Sequence, residues 1–468
     1  MNAGEWIHAR SPSLRRANDR EPHPAASLAG FIALCVFLAT QAYTIPVLLV
    51  GPSWAVWPMP TDFATVLLVG TALFLPTPRD ARLQRYRRGV GALFAFCAAS
   101  FFLFVIVPMY AAPPIDGTGS MNFGAFHVVR LVEFWLAFAA AQRVPLTPQR
   151  LVILRWVALA VLAWLVASVF LTYLEVLQPH DFAPWIPKSK HISGAWSFYA
   201  DTKEGVGTVG YNHAYTASQI TLMTGLALQL GPRSHGWRSV VVLLASLVAV
   251  FMSGSRAGLA GHLLFVVGYL ATRPGWLIGG AVAAFLAFSV IAPQVQTNST
   301  DREMMNRQLG AADPLDRSNL SGRDHIWEDR ITWLNDNPQA WAVGAGLGGT
   351  ADTGGPAHML PLQIIAELGI VGLFLCCLAF GRLAIDLWKE HDRVPALFWC
   401  TVGLLFSSST QETFYPEPAM GQFLGFYLVT LAIVFRAPMA LRGATTHAVA
   451  ADHPPAQDAD VSRKLAGS

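Results

Sequence analysis

Long apolar stretches separated by short polar segments recur along the whole chain. A helix needs about 20 mainly apolar residues to cross the hydrocarbon core of a bilayer. The pattern predicts about twelve such helices, over residues 26–50, 61–77, 90–110, 123–142, 151–174, 212–231, 239–253, 257–272, 275–293, 359–381, 395–411 and 419–436. The first follows a polar leader without a small-residue cleavage site, so we expect a retained helix. The predicted fold class is an all-α polytopic membrane protein.

Composition supports a membrane protein and excludes several other classes. Hydrophobic residues make up 53% of the chain and charged residues 13%, about half the share of roughly 25% that is usual in soluble proteins. A net charge of +3 is too weak to indicate a nucleic-acid partner. The five cysteines lie in apolar segments and are interpreted as small buried residues, not as disulfides or metal ligands.

The distribution of Lys and Arg predicts the orientation. Three short loops, 51–60, 111–122 and 412–418, contain neither residue, so the positive-inside rule places them outside and both termini in the cytoplasm. With that orientation, the alternation of successive helices places two long segments outside, 175–211 and 294–358. The chain is therefore predicted to begin with a cytoplasmic tail, 1–25, followed by five helices and an outside loop within 26–211. A second membrane region, 212–436, contains loop 294–358 and is followed by a cytoplasmic tail, 437–468.

One short outside turn carries an arginine against this bias. It reads Ser253-Gly254-Ser255-Arg256-Ala257-Gly258 and opens a predicted helix. Helix N-termini carry free N–H groups and partial positive charge, which favour anions, and the guanidinium fork suits phosphate oxygens. We predict that Ser255 and Arg256 contact a phosphate group. The alternative is a positive anchor at the membrane surface.

The second long loop contains a predicted amphipathic helix. Ser321 and Asp324 fit a capping box, and the helix is expected to stop before Pro338. Arg323, Trp327 and Arg330 are spaced to share one face, and we predict that this face contacts the same substrate. The alternative is a solvated helix whose arginines pair with neighbouring carboxylates.

Glycines follow this helix, in Gly344-Ala345-Gly346-Leu347-Gly348-Gly349. They match the dinucleotide pattern formally, but no βαβ pattern surrounds them. We predict a flexible turn near the substrate instead.

Two histidines stand at predicted helix starts on the outside. His358 precedes the tenth apolar segment, and His213 follows Asn212 at the start of the sixth. An imidazole can accept a proton from a sugar hydroxyl near neutral pH, so His358 is a candidate catalytic base. An interfacial histidine bonded to a loop carbonyl is the alternative. Asn212 and His213 are weaker candidates for substrate binding.

A charged pair lies within the fourth apolar segment. Arg130 and Glu133 are three residues apart, and charges at membrane depth are costly unless they are paired or functional. A mutual ion pair and a role in the substrate path both remain open.

Taken together, these motifs resemble the O-antigen ligase family, which includes Wzy-type polysaccharide polymerases and bacterial O-oligosaccharyltransferases. The similar features follow one another in order: Ser253–Gly258, Gly322-Arg323 and Trp327 in a large outside loop, Asn337-Pro338, Gly344-Ala345-Gly346, and His358 leading into Leu362–Gly372. The resemblance covers roughly residues 205–435. In one respect the chain departs from the family, which often has Asn after the histidine, where Met359 stands here.

The resemblance implies a GT-C-like glycosyltransferase with a large, partly helical periplasmic loop in a bacterial inner membrane. Its implied donor is an undecaprenyl-diphosphate-linked glycan, and its implied acceptor is lipid A–core or another glycan. The family's diphosphate-binding arginines correspond to Arg256 and to Arg323 or Arg330, and its essential loop histidine corresponds to His358. The implied reaction inverts the anomeric centre and needs neither cofactor nor metal ion.

Three functions remain open at this point. An O-antigen ligase is favoured because the loop has one compact arginine helix, and a Wzy-type polymerase would differ only in the acceptor. A transporter or flippase of lipid-linked oligosaccharides belongs to another class. Such proteins place polar residues on broken, internally repeated helices, and we find no repeat between residues 26–231 and 239–436.

Overall fold

In the computed structural model the described residues form helices joined by turns, and none of them lies in a strand. These are residues 23–47, 58–77, 80–106, 118–184, 205–209, 213–231, 236–272, 323–350, 357–411, 413–415 and 422–452. Within them the helices are α1 Pro24–Thr40, α2 Pro60–Ala72, α3 Ala81–Ser100 with a π-helical turn Phe101–Ile106, α4 Thr118–Ala141, α5 Pro148–Tyr173, α6 His213–Gln229, α7 Gly236–Met252, α8 Arg256–Ala271, α9 Arg323–Asp336, α10 Pro338–Val343, α11 Leu360–Lys389, α12 Pro395–Ser408 and α13 Phe423–Asp452.

Most of the predicted apolar segments coincide with these helices. Only the ninth, 275–293, lies outside the described residues, as does the predicted cap Ser321. Four stretches are long and apolar enough to cross a membrane: Ala81–Ile106, Gly124–Ala141, Pro148–Tyr173 and Leu360–Lys389. Several other apolar helices are shorter. The all-helical membrane class is therefore supported, whereas twelve spans and a GT-C-like fold remain predictions.

Several predicted boundaries differ from the structure: α3 already begins at Ala81 and not at residue 90, and α11 ends at Lys389 and not at residue 381. α1 ends at Thr40 and not at residue 50, because Pro46 disfavours a helix before it and the N–H of Thr44 bonds to the carbonyl of Thr208 at 3.2 Å. At the other end, α13 continues to Asp452, into the predicted tail. Alanine, leucine and arginine in that stretch are good helix formers.

Helices from both halves of the chain share one hydrophobic core. The core includes Phe37 of α1, Phe138 of α4, Phe265 of α8 and Phe435 of α13. The closest packing is between α8 and α12, where a Cβ on Gly261 would lie 2.4 Å from the carbonyl oxygen of Gly403. Small residues allow this backbone approach. It fixes the position of α8, whose first residue is Arg256.

α11 is broken at Gly369, and the glycine-rich turn repairs the break. Gly369 has φ 67° and ψ −175°, inside an otherwise helical run. The carbonyl oxygens of Ala366 and Glu367 instead accept hydrogen bonds from the N–H groups of Ala345 and Gly346, both at 2.9 Å. Backbone groups freed by a break in an apolar helix must find such partners. The turn is therefore part of the folded scaffold.

Replacing Gly369 by alanine is expected to destabilise the fold. The backbone conformation at this position is essentially restricted to glycine and costs other residues about 1–3 kcal/mol. In addition, the new Cβ would lie 2.1 Å from the carbonyl oxygen of Ala342. Thermal unfolding in detergent should show a lowered midpoint. Gly381→Ala on the same helix is the control, because within the described residues no other segment comes within 4 Å of a Cβ placed there. Equal midpoints for the two variants would contradict the break at Gly369.

Candidate functional site

The turn after α12 brings the two predicted phosphate-binding arginines to one place. Arg323, the first residue of α9, donates from Nη1 to the carbonyl oxygen of Thr410 at 2.8 Å. The next residue, Gln411, donates from Nε2 to the hydroxyl of Ser255 at 3.1 Å. Ser255 immediately precedes Arg256, which opens α8. The N-termini of α8 and α9 are thus anchored to two consecutive residues.

Ser255 has a structural role in this arrangement. Its side chain is buried, and its hydroxyl caps α8 by accepting the N–H of Gly258 at 3.1 Å. The positive φ of Gly254, 81°, turns the chain sharply into the helix. Arg256 is half-buried. The serine therefore shapes the turn, and the less buried Arg256 follows it as the first residue of α8.

The predicted common face of α9 is confirmed by its burial pattern. Arg323 and Trp327 are half-buried and Arg330 is buried, whereas Glu328 and Asp329 between them are exposed. α9 ends at Asp336, before Pro338, as expected. The face with the arginines therefore packs against the rest of the protein.

Arg330 differs from Arg323 in its environment. It is only 3% exposed, and burial lowers the pKa of its guanidinium, while the carboxylates of Glu367 and Asp329 oppose that shift. The side chain of Arg330 is therefore enclosed within the protein, with the Glu367 carboxylate among the charges that act on it. Arg330 therefore fits a counterion better than a residue that receives a diphosphate from outside.

Glu367 forms a buried centre that the sequence analysis did not single out. Its carboxylate is 2% exposed and accepts four hydrogen bonds, from the hydroxyl of Tyr415, the N–H of Gly348 at 2.7 Å, the hydroxyl of Thr350 at 2.7 Å and Nε2 of Gln363 at 2.9 Å. A carboxylate within an apolar helix is costly unless it is paired or functional. The sequence did contain this signal, because Glu367 is a carboxylate within an apolar segment. Above, that segment is used only as part of the family resemblance.

His358 lies directly before α11 in an unusual backbone conformation. Its φ is 52°, a left-handed value that is uncommon for residues other than glycine. The side chain is half-buried, and the preceding residue, Ala357, is fully buried. The indole N–H of Trp327 donates to the carbonyl oxygen of Ala357 at 2.8 Å. Because Trp327 lies one turn beyond Arg323, α9 connects the segment around Arg323 to the residue before His358.

His213 is located at the same end of the helix bundle. It is the first residue of α6, and Ala217, one turn later, lies against Gly258 of α8, since a Cβ there would approach Ala217 to 2.4 Å. Its predicted partner Asn212 lies outside the described residues.

The glycine-rich turn is packed, which corrects the expectation of a flexible segment. A Cβ on Gly346 would lie 2.9 Å from a side-chain atom of Val105, and one on Gly124 of α4 would lie 2.6 Å from the carbonyl oxygen of Leu347. The turn is therefore wedged between the π-helical end of α3, α4 and α11. It connects the N-terminal helices to the site because only glycine permits such close contact.

Two further polar groups lie near Glu367: His127 of α4, and Tyr415, which follows α12. The ring of His127 contacts the ring of Tyr415 edge-on, with centroids 5.4 Å apart. Burial and the neighbouring Glu367 raise the pKa of the Tyr415 hydroxyl, so it stays protonated and donates to the carboxylate.

The predicted Arg130–Glu133 pair exists and includes a third member. Arg130 is 2% exposed; its Nη1 lies 2.6 Å from Glu133 and also contacts Asp62 of α2. Asp62 in turn caps α2 through the N–H of Met59 at 2.7 Å and accepts from Gln422 beside α13. This cluster ties α2, α4 and α13 together, which favours a structural role. Asp62 lies in a predicted apolar segment, and the same cost argument could have identified it.

These residues together have the chemistry to bind a polyanionic substrate and to accept a proton from a hydroxyl group. Two guanidinium groups stand at two helix N-termini, where partial positive charge adds to their own. His358 lies near them across the first turns of α9. Such an arrangement could bind phosphate oxygens on one side and accept a proton from a hydroxyl on the other.

Comparison with known families finds a match in the same part of the chain. Residues 241–377 match the family model described as O-Antigen ligase. That range begins in α7 and contains Arg256, Arg323, His358 and Glu367. No curated protein matches the chain significantly. The resemblance seen in the sequence is therefore confirmed over residues 241–377, where the chain matches the O-antigen ligase family.

Proposed function

We propose that this protein is a glycosyltransferase of the bacterial inner membrane. It moves a glycan from undecaprenyl diphosphate onto an acceptor sugar at the periplasmic face. The observation that supports the proposal is a chain of hydrogen bonds that links the segments carrying the candidate residues: Arg323 to Thr410, Gln411 to Ser255 before Arg256, and Trp327 to Ala357 before His358. All three candidate residues, Arg256, Arg323 and His358, lie within the segment that matches the family.

The reaction is a displacement at the anomeric carbon of the donor sugar. An acceptor hydroxyl oxygen attacks that carbon, the bond from the carbon to the phosphate oxygen breaks, and the configuration inverts. His358 accepts the proton of the attacking hydroxyl. The diphosphate keeps the electron pair of the broken bond and leaves as an anion. Arg256 and Arg323 stabilise this developing charge.

The energetics of the donor make ATP unnecessary. The glycosyl phosphate bond already supplies the driving force for transfer. The two guanidinium groups supply the positive charge that a metal ion provides in other phosphate sites. The lipid part of the donor would remain in the bilayer beside the apolar helices, so that only the diphosphate and the sugar enter the site.

The acceptor that we propose is lipid A–core, which makes the protein an O-antigen ligase. One compact arginine-bearing helix, α9, receives the donor, and a single donor site fits transfer to a different acceptor lipid. The second candidate is a polymerase, for which another lipid-linked repeat is the acceptor.

Surface lipopolysaccharide distinguishes the two acceptors. We expect deletion of the gene to remove the entire O-antigen ladder from the core on a gel and the wild-type gene to restore it. A deletion strain that keeps a single-repeat band would identify a polymerase instead. An unchanged ladder would contradict both forms of the proposal.

A further inference from the structure

The residue before His358 is held on both sides by side chains. The N–H of Ala357 donates to Oε1 of Gln363 at 2.8 Å, and its carbonyl oxygen accepts the indole N–H of Trp327 at 2.8 Å. Gln363 belongs to α11 and Trp327 to α9. The two backbone groups of this buried residue are therefore held by side chains from two different helices. We call these two hydrogen bonds the Ala357 clamp.

Glu367 fixes the orientation of the Gln363 amide. Nε2 of Gln363 donates to Glu367 at 2.9 Å and to the hydroxyl oxygen of Thr350 at 3.1 Å. A carboxylate accepts hydrogen bonds and an amide group has one donating and one accepting end. The amide nitrogen must therefore point to Glu367, which leaves Oε1 to receive the N–H of Ala357. One buried carboxylate thus sets the direction of the whole clamp.

The clamp acts on a residue that would not adopt its conformation unaided. The left-handed φ of His358, 52°, is disfavoured for a residue with a Cβ and persists only where the surroundings determine it. On its C-terminal side the chain enters α11 at Leu360. On its N-terminal side, Ala357 is held by the clamp. The imidazole direction therefore depends on Trp327 and Gln363.

We infer that Trp327 and Gln363, the latter oriented by Glu367, are positioning residues that aim the His358 imidazole at the acceptor hydroxyl. The inference rests on the proposed function and assigns Trp327 a role through His358 in place of direct contact with the glycan. Because Trp327 lies one turn from Arg323 on α9, the clamp also sets the distance between the proton acceptor and the diphosphate-binding end of that helix.

A matched pair of tryptophan variants tests the clamp. Trp327→Phe keeps the aromatic ring and removes only the donor to Ala357. Trp333→Phe on the same helix is the control, because the indole nitrogen of Trp333 makes no hydrogen bond within the described part of the chain. We expect Trp327→Phe to lower kcat about tenfold, the effect of one lost hydrogen bond, with the donor KM unchanged. Trp333→Phe should behave as wild type. A raised donor KM with unchanged kcat in Trp327→Phe would overturn the inference in favour of glycan stacking.

An exchange of the two side chains tests the role of Glu367. Gln363→Glu places two carboxylates face to face and should lower kcat at least about tenfold. In the double variant Gln363→Glu with Glu367→Gln, the amide of residue 367 can donate to the carboxylate of residue 363, which still accepts the N–H of Ala357. We expect kcat to recover relative to Gln363→Glu. A double variant that folds but is less active than Gln363→Glu alone and Glu367→Gln alone would contradict the orientation proposed for the amide.

Hydrogen exchange separates failure of the clamp from failure of the proposed function. The peptide with residues 357–359 should exchange faster in Trp327→Phe than in wild type and Trp333→Phe. Faster exchange in a protein that transfers no glycan would keep the clamp and refute the proposed function. Unchanged exchange would overturn the clamp, whether or not transfer occurs.

Discussion

Replacing His358 by alanine is expected to reduce glycan transfer by a factor of about 10² to 10⁴, the usual contribution of a general acid–base group. The variant loses the proton acceptor, whereas Arg256 and Arg323 still bind the diphosphate. The donor KM should therefore change little while kcat falls. Transfer from a lipid-linked glycan to the acceptor by purified protein in liposomes measures both quantities.

His391 offers a control at the other end of the same helix. Its ring bonds to the carbonyl oxygen of Trp388 at 2.7 Å, just beyond the C-terminus of α11. His391→Ala should transfer glycan at the wild-type rate. If His358→Ala also retained that rate, His358 would be an interfacial residue, and the proton acceptor would have to be sought elsewhere. In the same liposomes, movement of lipid-linked glycan across the bilayer without any transfer would identify a flippase.

Replacing Arg256 by alanine is expected to lower transfer by a factor of about 10² to 10³, as for the loss of one preorganised electrostatic group. The lost guanidinium no longer stabilises the leaving diphosphate, and its effect on kcat should exceed that on KM because the charge develops during the reaction. Arg256→Lys should recover part of the rate, since lysine keeps the charge and loses the bidentate geometry. Restoration of the O-antigen ladder in the deletion strain gives a second measurement.

Arg238 provides the matched control for Arg256. It is exposed and stacks over the ring of Trp237. Because it lies near the start of α7, it is at the opposite end of that helix from the turn that contains Arg256. Arg238→Ala removes the same charge and should support normal transfer at equal expression. A similar loss in both variants would indicate a general effect of surface charge. Wild-type transfer by Arg256→Ala would refute the diphosphate assignment.

The candidate site is predictable from the sequence where the signal is local. The spacing of Arg323, Trp327 and Arg330 identifies one face of a helix, and the burial pattern confirms that face. The glycine-serine turn before Arg256 is likewise a local signal for the start of a helix, and α8 does begin there. Local spacing works here because helical periodicity alone decides which side chains lie together.

Other parts of the site could not be predicted in this way. Arg323 meets the carbonyl of Thr410 across 87 positions, Tyr415 meets Glu367 across 48, and Arg130 meets Asp62 across 68. No periodicity in one segment reports such a partner. The prediction of a flexible glycine turn was wrong for the same reason. The segments that pack against these glycines are far away in the sequence, so the local pattern does not show them.

What the sequence alone determined is the helical class of this protein, the family of its central segment and the three residues on which the proposed chemistry depends. Only the tertiary structure decided that Arg330 is buried, that Ser255 is a cap and that Trp327 and Gln363 hold the residue before His358. The physical reason is that hydropathy and spacing specify which groups must be buried or exposed. The partner that satisfies each buried polar group is chosen by how the helices pack.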